Sequence, residues 1–455
     1  MPIQQYSQPQ FNPYGDDAPT GAPGAWAAPF HPTPIDAIVS LPGSKSLTNR
    51  ELVLAALADG PSLLRAPMHA RDSALMIEAL RNLGVQIELV PGDSPFGPDL
   101  RVTPPEELIG STSIDCGLAG NVMRFTPLLA ALALGPTTFD GDEYARKRPM
   151  SGTIAALRAL GVDIAADSAS ALPFTVHGTG VVAGGAITID ASSSSQFISG
   201  VLMAAPRFTH GVDLRHSGDR LPSMPHIEMT LDCLSKRGVK VSTPAQAVWR
   251  VEPGPISGGQ LTIEPDLSNA GPFLAAVMVA GGELTIADWP DSTTQVGDEF
   301  DGILQQMGAK ITRSERGLTI SGTGEIHGID IDLSIGGELT PVIAALAAIA
   351  DSPTVIRGVA HLRGHETDRL AALAAEINRI GGIARETPDG LEIDPSGNLH
   401  GAVWQTYEDH RMATAGAIIG LRVPGIQIED ISVTSKTMPD FAQMWHDMLK
   451  NEGNA

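Results

Sequence analysis

Two kinds of apolar stretch alternate along the chain, and the alternation recurs. The first kind is apolar almost throughout: 52–58, 127–134, 199–205, 273–280, 342–350 and 415–421. Such runs predict buried helices too short to span a membrane. After a turn, each is followed by a strand-like run rich in aliphatic and β-branched residues, at 62–65, 137–140, 212–215, 284–287, 354–357 and 426–429. An amphipathic stretch then ends in Leu83-Gly84, Leu160-Gly161, Arg237-Gly238, Met307-Gly308 or Ile380-Gly381. Helical periodicity stopped by glycine predicts a second helix with a left-handed end. A short strand follows, and closing strands are expected at 100–103, 174–176, 249–251, 318–320 and 391–393. The glycines recur every 70–77 residues. That period is too long for a solenoid and suits a small packed unit of helices and strands.

The sixth unit begins near Val403, and the chain ends after a helix at 441–449 without a closing strand. A strand-like run at 38–41, followed by Pro42-Gly43, is expected to complete it from the other end. The fold class is therefore α/β, in α+β layers, with two domains of three units each. One domain is continuous over 44–262, and the other joins 34–43 to 263–450. A length of 455 residues exceeds one ordinary core. Two crossings between the domains would form a hinge. Residues 1–33, rich in Pro, Gln, Gly and Ala, are expected to be a disordered tail.

Net charge is −22 and the pI is about 4.8, which excludes a general nucleic-acid binder. A small anionic substrate in a local basic pocket remains compatible. Two cysteines, Cys116 and Cys233, provide neither a disulfide framework nor metal spacing. With no signal-like segment at the start, a cytoplasmic protein is expected.

The scarce basic residues stand at matching places in the units, where helices start. They lie in Ser44-Lys45-Ser46 to Arg50, Gly120 to Arg124, Arg148-Pro149, His365-Glu366-Thr367-Asp368-Arg369, Asp409-His410-Arg411 and Lys436-Thr437. A cation at the positive end of a helix is unfavourable unless an anion sits between them. If the helix starts of both domains face one another, Lys45, Arg50, Arg148, Arg369, Arg411 and Lys436 converge on one cleft. Ser44-Lys45 is not a phosphate-binding P-loop, because glycine does not directly precede the lysine. His365-Glu366 is not a zinc motif, because Arg369 stands where the second histidine would be.

Taken in order, these segments resemble the 5-enolpyruvylshikimate-3-phosphate synthase family over about residues 34–449. The resemblance implies two domains of three βαβαββ units each, an inside-out α/β barrel closing on substrate. It also implies transfer of the enolpyruvyl group of phosphoenolpyruvate to the 5-hydroxyl of shikimate 3-phosphate, with no metal or organic cofactor, by a monomer. By motif, Lys45, Ser46, Arg50, Ser194, Ser195, Gln196, Ser223, Glu338 and His365 would bind shikimate 3-phosphate. Lys45, Gly120, Arg148, Gln196, Arg369, Arg411 and Lys436 would bind phosphoenolpyruvate. Glu338, Glu366 and Lys45 would be catalytic, with Glu338 at the attacking hydroxyl and Glu366 moving a proton at the methylene carbon.

The residue types suit that chemistry. Two phosphates and two carboxylates call for several Arg and Lys side chains in one pocket. Proton movement at carbon and at a hydroxyl calls for two carboxyl groups in different environments. Departures from the family pattern are Glu338 for Asp, His365 for Lys, His361 for Asn, His226 for Tyr, and Leu118 and Asn121 for Asn and Thr. A related transferase acting on UDP-N-acetylglucosamine uses a cysteine on a mobile loop. Cys116 precedes the Gly120 loop, but the Lys45 to Arg50 signature fits the shikimate enzyme better.

Overall fold

The structure is a computed structural model that describes residues 24–168, 170–218 and 220–450. Twelve α-helices are assigned among these residues: α1 Lys45–Ala56, α2 Arg71–Asn82, α3 Gly120–Ala131, α4 Ser151–Ala159, α5 Gln196–Ala204 and α6 Met224–Lys236, then α7 Leu267–Ala280, α8 Phe300–Gln306, α9 Thr340–Ala348, α10 Arg369–Arg379, α11 His410–Gly420 and α12 Phe441–Lys450. The odd-numbered helices α1, α3, α5, α7, α9 and α11 contain the uniformly apolar runs.

One pattern of pairing builds every four-stranded sheet. In the second unit Thr112–Asp115 runs parallel to Leu134–Asp140, which pairs antiparallel with Phe174–Thr179, which pairs antiparallel with Asp163–Ala166. Among the described residues five sheets have four strands and one has three. Helices α1, α3 and α5 touch one another, as do α7, α9 and α11. Their residues are almost wholly buried, while strands such as Ile35–Val39 alternate buried and exposed positions. Helices therefore fill the centre and sheets form the outside. Among the described residues no sheet closes on itself into a barrel, and the six remain separate.

Two apolar clusters result. One contains buried residues from Leu47 to Ile263. The other joins Ala28 to Leu41 with Leu267 to Met448. The glycines that punctuate the sequence all carry a positive φ: 93° at Gly84, 80° at Gly161, 80° at Gly238, 109° at Gly308 and 86° at Gly381. The repeat visible in the sequence is thus a repeated helix end that a Cβ would strain.

The N-terminal strand is placed differently from the expectation. Ile35–Val39 pairs parallel with Gly282–Ala287, so it completes the fourth unit and not the sixth. The reason is where the chain crosses. After 263–266 it runs straight into α7, which leaves the fourth unit without a first strand of its own. The first unit has the same vacancy, filled by Gly259–Thr262 beside Ser62–Arg65. The sixth unit owns its first strand, Val403–Trp404, and is closed by Trp26–Ala27 antiparallel to Gln427–Ile428.

That short strand also corrects the reading of 1–33 as a disordered tail. Residues 24–33 are ordered, because their backbone finds partners: Ala28 N–H donates to Ile426 O at 3.0 Å and His31 N–H to Leu421 O at 3.0 Å. Ala28 packs against Gly420, where a Cβ would come within 2.4 Å of its own. The rest of that tail, 1–23, lies outside the described residues.

The two crossings lie side by side. Gly43 and Pro265 form an antiparallel bridge, Ser44 N–H donates to Glu264 O at 2.7 Å, and Asp266 N–H donates to Pro42 O at 2.9 Å. Gly43 has no substitute here, since a Cβ would fall 2.1 Å from Ala66 O. This miniature ladder sets the starts of α1 and α7 next to each other.

The role of the repeated glycine can be isolated at Gly161, where an added Cβ meets nothing within 4 Å. Any cost of Gly161→Ala is then conformational. We expect about 1 kcal/mol less stability in urea denaturation, from the left-handed penalty less the entropy removed from the unfolded chain. A variant as stable as the parent would show that the helix end does not need this conformation.

Candidate active site

The starts of α1, α3, α5, α6, α7, α10 and α11, together with the loops before α4, α9 and α10, line one cleft. At its floor, Asp266 caps α7 by accepting from Asn269 N–H at 3.1 Å and accepts from Lys45 N–H at 3.0 Å. One carboxylate thus serves the first turns of two helices from different clusters. Lys45 Nζ reaches Asp72 Oδ2 at 3.4 Å, and Asp72 Oδ1 is buried without a partner among the described residues.

The first cluster supplies a compact cationic wall. Gly120 opens α3, and a Cβ there would lie 2.9 Å from Arg124 Nη1, 3.1 Å from Arg148 Nη2 and 3.2 Å from Gln196 Oε1. Glycine is what lets these three side chains close over the helix start. Arg124 donates to Gln196 Oε1 at 2.8 Å, and Gln196 donates to Asn121 Oδ1 at 3.0 Å. Arg148 donates to Leu118 O at 2.8 Å. Arg124 Nε, Arg148 Nε and Asn121 Nδ2 are buried without partners among the described residues. Unpaired donors concentrated at a positive helix end form a site for an anion. Burial and the nearby Arg148 lower the pKa of Arg124.

Arg50 is tied more tightly. It donates to Thr230 Oγ1 at 2.8 Å, Ser46 O at 3.0 Å and His226 O at 2.9 Å, and stands over the Phe125 ring. Burial lowers its pKa to about 10, so it stays charged at neutral pH.

The second cluster supplies a network of charges. Arg369 forms two hydrogen bonds to the fully buried Asp409, at 2.7 and 3.1 Å, and a third to Glu366 Oε2 at 2.9 Å. Lys436 Nζ donates to Glu366 Oε1 at 2.6 Å. Burial opposes ionisation of Glu366, but Lys436, Arg369 and Arg148 outweigh it and hold the carboxyl well below its usual range. Arg411 donates to Glu338 O at 3.0 Å.

Glu338 sits between the two clusters. It accepts from Ser268 Oγ at 3.2 Å, and its Oε2 lies 3.1 Å from Nε2 of His226 at the start of α6. Burial opposes its ionisation, yet His226, Arg411 and His365 overcome this and lower its pKa strongly. His361 packs against Gly337, and burial lowers its pKa. His365 is pushed well below its ordinary value by burial and by Arg369, so it is neutral at neutral pH.

Of the residues singled out from the sequence, Lys45, Ser46, Arg50, Gly120, Arg148, Ser194 and Gln196 line this cleft from the first cluster. Glu338, His365, Glu366, Arg369 and Arg411 line it from the second. Three stand behind the lining. Ser195 is buried at the start of α5, where its carbonyl accepts from Ser199 N–H. Ser223 is buried in a left-handed conformation, φ 55°, just before α6. Lys436 is 4% exposed and meets the cleft through Glu366.

Sequence reading passed over Arg124 and Asp72 as site residues. Arg124 follows Gly120 by one helical turn, and that spacing was the available signal. Nothing local to Asp72 marks it. Cys116 is fully buried, with its thiol pKa raised by burial and by Asp115, so it is not an exposed loop nucleophile. Among the described residues no group of three or more His, Cys, Asp or Glu could hold a metal ion. Among the described residues no helix is long and apolar enough to cross a membrane.

This chain and its fold have counterparts among known proteins. The family model for EPSP synthase (3-phosphoshikimate 1-carboxyvinyltransferase) matches residues 30–445. A 3-phosphoshikimate 1-carboxyvinyltransferase of Kocuria rhizophila is 54% identical over 433 residues, covering 94% of this chain and 97% of the relative. Two solved structures of EPSP synthase from Acinetobacter baumannii superpose with TM-scores of 0.75 and 0.74. Each covers 93% of this chain and 97% of its own, and at 23% identity the likeness is one of fold. With nearly its whole described length matched at that level of identity, the chain belongs to the EPSP synthase family.

Proposed function

We propose that this chain transfers the enolpyruvyl group of phosphoenolpyruvate to the 5-hydroxyl of shikimate 3-phosphate, releasing phosphate through a tetrahedral intermediate. The observation that carries this reading is the pairing of Glu366 with Lys436 and Arg369 in a cleft that Arg124 and Arg148 line from the other cluster. Two carboxylates in different surroundings then have distinct tasks. The protein would act in the cytoplasm, as a monomer.

Glu338, held ionised beside His226, accepts the proton of the attacking hydroxyl as oxygen bonds to the substituted carbon of phosphoenolpyruvate. Ser46, Arg50, Ser194 and Gln196 hold shikimate 3-phosphate along the first cluster, with His365 contributing from the second. Ser195 and Ser223 shape that surface from behind. Lys45, Gly120, Arg124 and Arg148 meet phosphoenolpyruvate from one side, and Arg369, Arg411 and Lys436 from the other. Glu366 delivers the proton to the methylene carbon and later takes one back as phosphate leaves. In the empty cleft it is held ionised by Lys436 and Arg369. An anionic substrate engaging the same cations weakens that hold and raises the carboxyl pKa, which favours the protonated acid.

The reading predicts phosphate release from phosphoenolpyruvate only when shikimate 3-phosphate is present. Glu366→Gln should keep the dissociation constants of both substrates while turnover falls roughly 10²–10⁴-fold, the usual worth of general acid–base catalysis. Unchanged turnover in that variant would remove Glu366 from the mechanism.

The depressed carboxyl values also fix a sign for stability against pH. A carboxyl whose folded pKa lies below its unfolded one contributes fully above about pH 4.3 and loses that contribution as pH falls toward the folded value. Urea denaturation from about pH 7 down to about pH 3 should therefore show a shallower acid loss in Glu338→Gln/Glu366→Gln than in the parent. Equal slopes would mean that these carboxylates are not held ionised by the fold.

A further inference from the structure

Immediately before the Asp409-His410-Arg411 segment, the backbone takes an unfavourable path. Tyr407 and Glu408, consecutive and neither of them glycine, have φ of 53° and 55°. A side chain crowds the backbone in this left-handed region, so two in succession persist only where the surroundings hold them.

The holding groups are two carboxylates. Glu376 lies on α10 and is fully buried. It accepts from Tyr407 Oη–H at 2.7 Å, Gln405 N–H at 3.0 Å, and Arg379 at 2.9 and 3.2 Å. Glu429 accepts from Thr406 N–H at 3.0 Å and from its hydroxyl at 3.3 Å. The turn is closed by Asp409 N–H donating to Thr406 O at 2.9 Å. At its exit Asp409 caps α11, accepting from Arg411 N–H at 2.9 Å, and its two oxygens receive the fork of Arg369. Neither Glu376 nor Tyr407 lines the cleft.

We propose that Glu376 and Tyr407 are positioning residues: they clamp the strained turn 406–408 so that Asp409 fixes Arg369 and Arg411 in the phosphoenolpyruvate half of the cleft. This rests on the function proposed above. α10 is the common frame, because Arg369 begins it and Glu376 lies two turns further on. The same helix therefore carries both the arginine that Asp409 must meet and the carboxylate that aims the loop bearing Asp409. A purely structural role would leave the geometry at Arg369 and Arg411 unaffected when the clamp is loosened.

Tyr407→Phe removes one hydroxyl and keeps the ring. The KM for phosphoenolpyruvate should rise about five- to tenfold, within the net worth of one ordinary hydrogen bond, while the KM for shikimate 3-phosphate stays within about twofold. Amide hydrogen exchange across 409–412 should quicken. Gly161→Ala, remote from the cleft, serves as a destabilised control and should change neither KM nor that exchange. Positioning is overturned if Tyr407→Phe matches the control in both KM values and in exchange at 409–412, whether or not its urea midpoint falls. If Tyr407→Phe fails to fold, Glu376→Gln carries the same readings, since its amide nitrogen would face a donor now satisfied by carboxylate. An unsubstituted protein that released no phosphate from phosphoenolpyruvate with shikimate 3-phosphate present would overturn the reaction assignment instead, and exchange at 409–412 would then decide the positioning alone.

Discussion

The constraint on which the rest of this structure depends is the burial of like charges at positive helix ends. Arg124 and Arg148 gather around the start of α3, Lys45 opens α1, and Arg411 lies in the first turn of α11. In water such side chains would separate. Here each is held by a carbonyl or carboxylate: Leu118 O for Arg148, Glu338 O for Arg411, and Asp72 for Lys45. Those bonds leave Nε of Arg124 and of Arg148 unmatched among the described residues. The remaining positive potential is what the proposed pair of anionic substrates would offset. A chain with a net charge of −22 can attract anions because its cations are concentrated where the helix dipoles add to them.

Concentration of that kind requires two clusters meeting, and the crossings arrange it. Pro42 to Ser44 and Glu264 to Asp266 bond to one another, so α1 and α7 start side by side. Asp266 then caps α7 and accepts from the first N–H of α1. Further out, Glu338 lies beside His226 across the cleft, which places a carboxylate against the opposite cluster. Packing of the central apolar helices fixes their directions. The crossings fix which ends coincide, and chemistry becomes available only where the ends coincide.

Much of this was legible from the residues. The glycines after the amphipathic helices carry a local requirement, a positive φ, and so they show through any surroundings. The buried helices were legible for a similar reason, since runs such as 342–350 tolerate no polar face. What failed was the pairing of distant segments. A strand at 35–39 fits any sheet that lacks a first strand, and its own alternation does not say which. Trp26–Ala27 is too short to show a period at all. In the cleft, residues placed by their own helix start, such as Gly120 and Arg369, could be read. Asp72 could not, because its role comes from Lys45, which belongs to a different helix.

The same contrast explains why a family likeness and a physical reading meet in this cleft. Glu338 and Glu366 are both acids near helix starts, and position alone would make them equivalent. Their partners separate them. Glu338 faces a histidine and a serine from separate segments, so its ionisation depends on how the clusters meet. Glu366 is hydrogen-bonded by Lys436 and Arg369, both from its own cluster, with Arg148 adding positive charge from the other, so its ionisation depends on what else those cations bind. One carboxylate is therefore set by the meeting of the clusters and the other by occupancy. The reaction proposed above, which takes a proton from oxygen and gives one to carbon, would use that difference, and the two carboxylates differ in this way without any difference in side-chain type.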